Sequence, residues 1–110
     1  GQIVIADEVV AIIAGIAATE VKGVDSMYGG WSGEIISRMG IRDLSKGVSI
    51  SIEDDHVSVK LSLNVKYGYS IPDVSRNVQD KVASAIESMT GLSVLDVNIR
   101  IAGVVNAENE

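Results

Sequence analysis

The sequence predicts an α+β domain: a mainly antiparallel sheet with two main helices packed on one face and a short helix after a glycine-rich loop. Three observations support this fold class. They are an apolar helical segment near the start, two strand-like segments of alternating apolar and polar residues, and a later amphipathic helix that leads into one more alternating segment. The 110 residues suffice for one core, and we expect residues 1–110 to form a single domain.

The run VVAIIAGIAA at residues 9–18 is the most informative stretch, because a helix built from it is apolar around its whole circumference. A surface helix in so small a chain normally has a polar face. This one therefore implies cover by the sheet on one side and by a second element or a partner subunit on the other. The run is about half the length needed to cross a bilayer. It predicts self-association, with Ile12 and Ile16 as candidate interface residues.

The first helix is predicted between short strands at residues 2–6 and 24–28. Asp7 is expected to cap the helix, and Glu8 lies where the positive end of the helix dipole favours an acid. This placement explains both carboxylates without a catalytic pair. The helix should end before Gly23, since glycine adopts the left-handed conformation common just past a helix terminus.

Two later segments have the period-two pattern of strands with one solvent-exposed face. Apolar residues alternate with serines in the first segment and with serine, lysine and asparagine in the second, and residues 53–56 form the turn of the resulting hairpin. The apolar positions are Val48, Ile50, Ile52, Val57, Val59, Leu61, Leu63 and Val65. We expect the face of the sheet opposite the helices to be hydrophilic.

The long second helix begins with a clear capping signal. Ser70 precedes Pro72 in the first turn, and Asp73 follows three residues after the serine, as in a capping box with Asp in place of the usual Glu. The run ends at Gly91. One face of this helix is apolar: Ile71, Val74, Val78, Val82, Ile86 and Met89. A last strand then alternates through Val97, Ile99 and Ile101.

Composition excludes several classes of function. The chain has no cysteine, which removes disulfides, thiol chemistry and Cys-ligated zinc. Nine basic and fifteen acidic residues give a net charge of −6, which repels nucleic-acid phosphates and anionic lipids. Asp54, Asp55 and His56 are read as a solvated turn, because adjacent residues rarely converge on one ion and no further ligand has suitable spacing. A serine nucleophile lacks a base, since His56 is the single histidine. We therefore predict no catalytic, metal or cofactor site.

The glycine-rich loop has two alternative interpretations. Its GWSG sequence has the spacing with which KH domains clamp a nucleic-acid backbone, but those loops join two helices and are assisted by basic residues. A flexible surface loop is the favoured interpretation because of the acidic balance of the chain. The residues of the candidate anion or nucleic-acid loop are Gly30, Ser32, Gly33, Arg38 and Arg42.

Trp31, the sole tryptophan, is the third candidate interface residue. An exposed tryptophan on a loop is a common interface anchor. The alternative is that its ring closes over the core. The corner Tyr67-Gly68-Tyr69 is expected to close one end of the sheet with its rings, and ligand binding there is the weaker alternative.

The amino-acid sequences of several segments closely resemble the alkaline-shock protein family, the envelope stress response proteins of Gram-positive bacteria. They are IAGIAATEVKGV at residues 13–24, LSKGVSISI at residues 44–52, VKYGYSIPDVSRNVQDKVASAIESMTGL at residues 65–92 and VNIRIAGV at residues 97–104. The Ala-Gly-rich first helix and the YGYSIPDV start of the second are the most distinctive. The resemblance spans nearly the whole chain.

This resemblance implies a cytoplasmic, non-enzymatic interaction or scaffold protein in cell-envelope stress response and homeostasis. Such a protein would self-associate and be held at the inner face of the membrane by a membrane-anchored partner, without inserting directly. No catalytic residues or cofactors come with the resemblance. Two alternatives stay open: a regulator associated with fatty-acid synthesis, to which some relatives are linked, and the KH-like module that would use the GWSG loop.

Overall fold

The computed structural model describes residues 5–28 and 46–106. In chain order its elements are α1 Asp7–Thr19, β1 Val24–Met27, β2 Val48–Glu53, β3 His56–Lys66, α2 Ile71–Thr90 and β4 Ser93–Val105. The α+β class is confirmed, as are both main helices and the strands after them. Of the strand predicted at residues 2–6, only Ile5 and Ala6 are described, and neither belongs to a strand. The short helix predicted after the glycine-rich loop lies outside the described residues.

β3 is the strand to which every other described strand is hydrogen-bonded. β1 pairs with its last part, from Val24 opposite Val65 to Met27 opposite Leu63, and β2 pairs with the rest, both antiparallel. β4 pairs with β3 along its whole length, from His56 to Lys66. Since a strand has two edges, β1 and β2 share one edge of β3 and β4 occupies the other.

The β3–β4 pair is parallel, whereas the other two pairs are antiparallel. α2 lies between these two strands in the chain and returns it to the same end of the sheet, as parallel pairing requires. The sheet is therefore mixed, with a β3-α2-β4 crossover on one side of a hairpin.

The core is aliphatic and lies between one face of the sheet and the two helices. It is formed by alternate residues of β3 and by the inner stripes of α1 and α2. From β3 and α2, the buried side chains are Val57, Val59, Leu61, Leu63, Val65, Val74, Val78, Val82 and Ile86. The other face of β3 presents Ser58, Lys60, Ser62, Asn64 and Lys66, none of which is buried. The predicted hydrophilic face is thus seen on β3.

The start of α1 differs from the prediction. Ala6 is the N-cap residue, with φ −68° and ψ 140°, and no side chain caps the helix. Asp7 is the first helical residue, so its assignment as the cap is wrong. Asp7 and Glu8 both lie in the first turn, where carboxylates favour the positive end of the helix dipole. The four N-terminal N–H groups therefore gain electrostatic stabilisation without a side-chain cap.

α2 begins and ends as its sequence predicts. The Oγ of Ser70 accepts a hydrogen bond from the backbone N–H of Asp73 at 3.4 Å, and Pro72 lies in the first turn. Gly91 ends the helix in the left-handed conformation, with φ 77°, and its N–H donates to the carbonyl of Glu87 at 3.0 Å. Both helix ends are fixed locally, which explains why this element could be predicted with its boundaries.

The hairpin turn lies at residues 53–56, as predicted. Glu53 and His56 form the last pair of the ladder, which leaves Asp54 and Asp55 as the two turn residues. Their φ angles are 50° and 67°. Two consecutive positive φ angles define the tight turn whose twist matches that of an antiparallel pair, and aspartate tolerates this conformation better than most residues.

Gly23 joins α1 to β1 at a position where a side chain does not fit. Its φ is +100°, and a Cβ there would lie 2.7 Å from Cγ2 of Val74 and 3.0 Å from the ring of Tyr69. The first turn of α2 and the Tyr69 ring thus pack directly on the backbone at the end of α1. Tyr69 closes this corner, whereas Tyr67 is 73% exposed.

Gly23→Ala should lower the free energy of unfolding by about 2–3 kcal/mol, because it adds a steric clash to the strain of a positive φ. Gly68→Ala is the matched control: Gly68 has φ +95°, but a Cβ there would meet nothing within 4 Å, so only the conformational cost applies. Urea unfolding of both variants measures the difference. Equal losses would contradict the packing of Val74 and Tyr69 on Gly23.

Candidate interaction surface

The inner side of α1 is covered by the chain itself. α1 packs against α2, β1 and β2. Its buried residues are Val10, Ala11, Ala14, Gly15, Ala17 and Ala18. All but one are alanine or glycine, so the backbone of α1 approaches its neighbours closely. Small side chains explain how one side of this helix can be fully covered in a domain of this size.

The remaining side of α1 is an apolar stripe that the described residues cover only in part. Val9 is 48% exposed, and Ile12, Ile13 and Ile16 are half-buried against the edge of the core. The spacing i, i+3, i+4, i+7 puts these four residues on one side of the helix. We call Val9, Ile12, Ile13 and Ile16 the α1 stripe. Ile12 and Ile16, the predicted interface residues, both belong to it.

β2 extends this apolar surface beside α1. The two elements are in contact, and Val48, Ile50 and Ile52 of β2 are half-buried where they face the helices. The serines between them point to the open face of the sheet and are exposed. α1 and β2 thus both carry partly exposed apolar side chains, and the two elements contact each other.

Charges surround the α1 stripe at its two ends. Asp7 and Glu8 are exposed in the first turn, and Glu20 just past the last turn forms an exposed ion pair with Lys81 of α2 at 3.8 Å. An ion pair this exposed contributes little to stability. No charged side chain occurs between Glu8 and Glu20. The stripe is therefore an apolar patch bordered by acids, the pattern of a core with a polar rim in protein interfaces.

The other predicted site residues all fall in a range that the structure does not describe. Trp31 and the candidate loop residues Gly30, Ser32, Gly33, Arg38 and Arg42 lie outside the described residues. Their roles as interface anchor and anion loop stay predictions. β2 begins at Val48, three residues after the end of the undescribed range 29–45.

The structure gives no chemical role to the aspartate-histidine turn. Asp54 and Asp55 occupy the two positive-φ positions, and His56 is exposed at the start of β3. Within residues 5–28 and 46–106, no group of three His, Asp or Glu side chains is placed to hold a metal ion. The turn conformation accounts for the choice of aspartate here.

The two described helices differ in length and polarity. α1 is apolar but has 13 residues, and α2 has 20 residues but carries several charges. Neither of them has the combined length and hydropathy of a membrane-spanning helix.

The comparison with protein families identifies the class of protein. Residues 1–106 match the model of the alkaline shock protein 23 family, which is described as having a cell envelope-related function. This chain belongs to that family. The resemblance found in the sequence is thereby confirmed.

The alignments with similar proteins of other bacteria span nearly the whole chain. The uncharacterized protein YqhY of Bacillus subtilis is 38% identical over 104 residues, which are 94% of this chain and 77% of YqhY. An uncharacterized protein of Streptococcus pyogenes, Spy1535, is 35% identical over 96% of this chain and 80% of its own length. A stress response regulator gls24 homolog of Streptococcus pyogenes is 25% identical over 98% of this chain and 61% of its own length. Stress response thus appears in the name of a relative.

Solved structures with a similar fold come from variants of MamM CTD. One has a TM-score of 0.53 and 11% identity and covers 87% of this chain and 95% of its own. Another has a TM-score of 0.55 and 11% identity, and it covers 89% of this chain and 99% of its own. At this identity the likeness concerns the fold alone, and it supports the α+β architecture described above.

The sequence predicted partly exposed apolar residues on α1 but not on β2. Hydropathy marks Val48, Ile50 and Ile52 as one face of a strand, and this pattern predicts burial. Their partial exposure follows from the position of β2 beside α1 at an edge of the described sheet.

Replacing Ile16 with Asp should lower the free energy of unfolding by about 2 kcal/mol, since a carboxylate would lose part of its hydration against the core. Ile12→Asp should behave similarly. Val9→Asp is the control within the same stripe, and we expect a change within about 0.5 kcal/mol because Val9 is half exposed near the helix N-terminus. Thermal and urea unfolding measure the three variants. Unchanged stability of both isoleucine variants would contradict their partial burial.

Proposed function

We propose that this chain is a non-enzymatic interaction module of the cell envelope stress response, which self-associates and is held at the inner face of the membrane by a membrane-anchored partner. The α1 stripe is the surface that contacts this partner. Trp31 contributes to the same contact. The proposal assigns no chemical step and no cofactor to the chain.

The α1 stripe is the observation that carries the proposal. Four large aliphatic side chains lie in one row, Val9 half exposed and the three isoleucines partly exposed, and exposed apolar patches mark sites of association. The acids at both ends of the stripe define its limits. An apolar stripe with a charged border fits an apolar helix or groove of another protein better than it fits a lipid surface, because amphipathic lipid-binding helices carry basic residues beside the apolar face.

Family membership supports the physiological setting. The family is described by a cell envelope-related function, and a relative is named as a stress response regulator. An acidic chain with a net charge of −6 is repelled by anionic lipids, so attachment to a membrane through a protein partner suits its electrostatics better than direct binding.

A capture experiment with matched variants tests the proposal. The tagged protein, Val9→Asp, Trp31→Ala and Met89→Asp are incubated with detergent-solubilised membranes and with cytosol of the organism, and retained proteins are identified by mass spectrometry. Met89 is 71% exposed on α2, so its variant places the same charge on an apolar position away from the stripe. Circular dichroism confirms that each variant is folded.

We expect one integral membrane protein to be retained by the unchanged protein and by Met89→Asp, and to be lost with Val9→Asp. Loss with Trp31→Ala as well would put that residue in the contact. Equal retention by all variants would contradict the role of the α1 stripe. Retention of fatty-acid synthesis enzymes or of RNA-associated proteins, with no membrane protein, would favour the alternative regulator or the nucleic-acid module, respectively.

A further inference from the structure

No described strand pairs with the outer edge of β4. β4 has 13 residues and pairs with β3 through its other edge. Six of its residues are valine or isoleucine, the types that most favour extended strands. An unpaired edge of this length presents a row of backbone N–H and C=O groups that can bind another strand.

Two irregularities divide β4 and leave a regular segment between them. The pairing with β3 shifts by one residue between Val94 and Asp96 and again between Ile101 and Gly103. Such bulges bend a strand and interrupt pairing. Regular pairing to a further strand is therefore confined to residues 96–101 and their immediate neighbours.

This regular segment carries opposite charges at symmetric positions. Asp96 and Arg100 lie two residues before and after Asn98, and all three share the open face of the sheet with Lys60 and Ser62 of β3. Asp96 and Arg100 are exposed, and neither forms an ion pair within the described part of the chain. On the helix side of the same segment, Val97 and Ile99 are also placed symmetrically about Asn98.

We propose that β4 pairs antiparallel with β4 of a second copy of this chain, about a two-fold axis at Asn98. This register brings Asp96 opposite Arg100 of the second copy, and the same pair repeats on the other side of the axis. Val97 lies opposite Ile99 of the second copy, so apolar residues meet on the helix side. Asn98 faces its own counterpart, and the sheet continues from one copy into the other.

The charges select this register over its neighbours. A shift of two residues in either direction removes both Asp96–Arg100 pairs, and a shift of one residue puts charged side chains opposite apolar ones on the wrong face. Directly opposed charges of unlike sign stabilise an antiparallel pair, and like charges destabilise it. A self-complementary strand is what a two-fold interface requires.

Two side chains of α2 are hydrogen-bonded to the backbone of β4. The side-chain amide of Gln79 donates to the carbonyl of Val97 at 2.9 Å, and Glu87 accepts from the N–H of Val94 at 2.9 Å. A carbonyl oxygen has two lone pairs and can accept a second hydrogen bond. From Ile99 onward, no described side chain of α2 is bonded to the β4 backbone. The Glu87 contact holds the start of β4 in place, and the Gln79 contact lies inside the regular segment, at a carbonyl that keeps a second lone pair.

This inference rests on the self-association in the proposed function and assigns it to β4, a surface separate from the α1 stripe. Charge reversal tests it through Asp96→Arg, Arg100→Asp, the double variant and an equimolar mixture of the two single variants. Sedimentation equilibrium measures the dimerisation constant. Glu53→Arg is the control, because Glu53 is exposed on β2, away from the β4 edge.

Each single reversal creates two like-charge pairs and should weaken homodimerisation by about tenfold or more. The double variant restores unlike pairs and should dimerise like the unchanged protein. The two single variants, when mixed, should form a heterodimer, because one then carries two cations and the other two anions. Glu53→Arg should leave the dimer unchanged.

Several results would overturn the inference. If the unchanged protein dimerises and the single reversals have no effect, the interface is elsewhere, while self-association itself stands. If the mixture of single variants stays monomeric while the unchanged protein dimerises, the register is wrong. If the unchanged protein is monomeric up to millimolar concentration, both this interface and self-association are excluded, and the membrane-partner part of the proposed function is then decided by the capture experiment.

Discussion

The structure depends on the register of β3. Each of the other described strands is hydrogen-bonded to it, and its five alternate apolar residues provide the floor of the core. A slip of one residue would move Val59, Leu61 and Leu63 from the helix side to the open face and bring Lys60 and Ser62 into the core. Because the strand is buried on one face only, hydrophobic burial fixes this register strongly.

The two surfaces that we assign to association follow from that arrangement. The small residues of α1 let it pack closely against β1 and β2. Its larger residues therefore lie at the outer border of the core: Val9, Ile12 and Ile16. α2 covers the other side and connects β3 to β4 in parallel, so β4 becomes an edge. One helix stripe and one strand edge are thus placed on opposite sides of β3, and a second copy on β4 would leave the α1 stripe accessible.

Local signals explain which features could be predicted. The Ser70 cap, the Gly91 stop and the alternation in β2 and β3 are each encoded by a few neighbouring residues. These signals predicted α2, β2 and β3 correctly. The predicted cap of α1 was wrong: aspartate is a common N-cap residue, but Asp7 lies one residue after the N-cap position, which Ala6 occupies. The shared edge of β1 and β2 and the parallel β4 depend on contacts between distant segments, for which periodicity carries no signal. The outer edge of β4 and the contribution of β2 to the candidate surface were missed for the same reason.

The central claim is that the α1 stripe contacts a membrane-anchored protein in the cell. Site-specific photo-crosslinking tests it most directly, with a photoreactive amino acid at Val9 and, in a separate strain, at Met89. We predict that Val9 crosslinks to an integral membrane protein in living cells and that Met89 does not. Crosslinks from Val9 to cytosolic proteins alone, or the same membrane protein captured from both positions, would contradict the account.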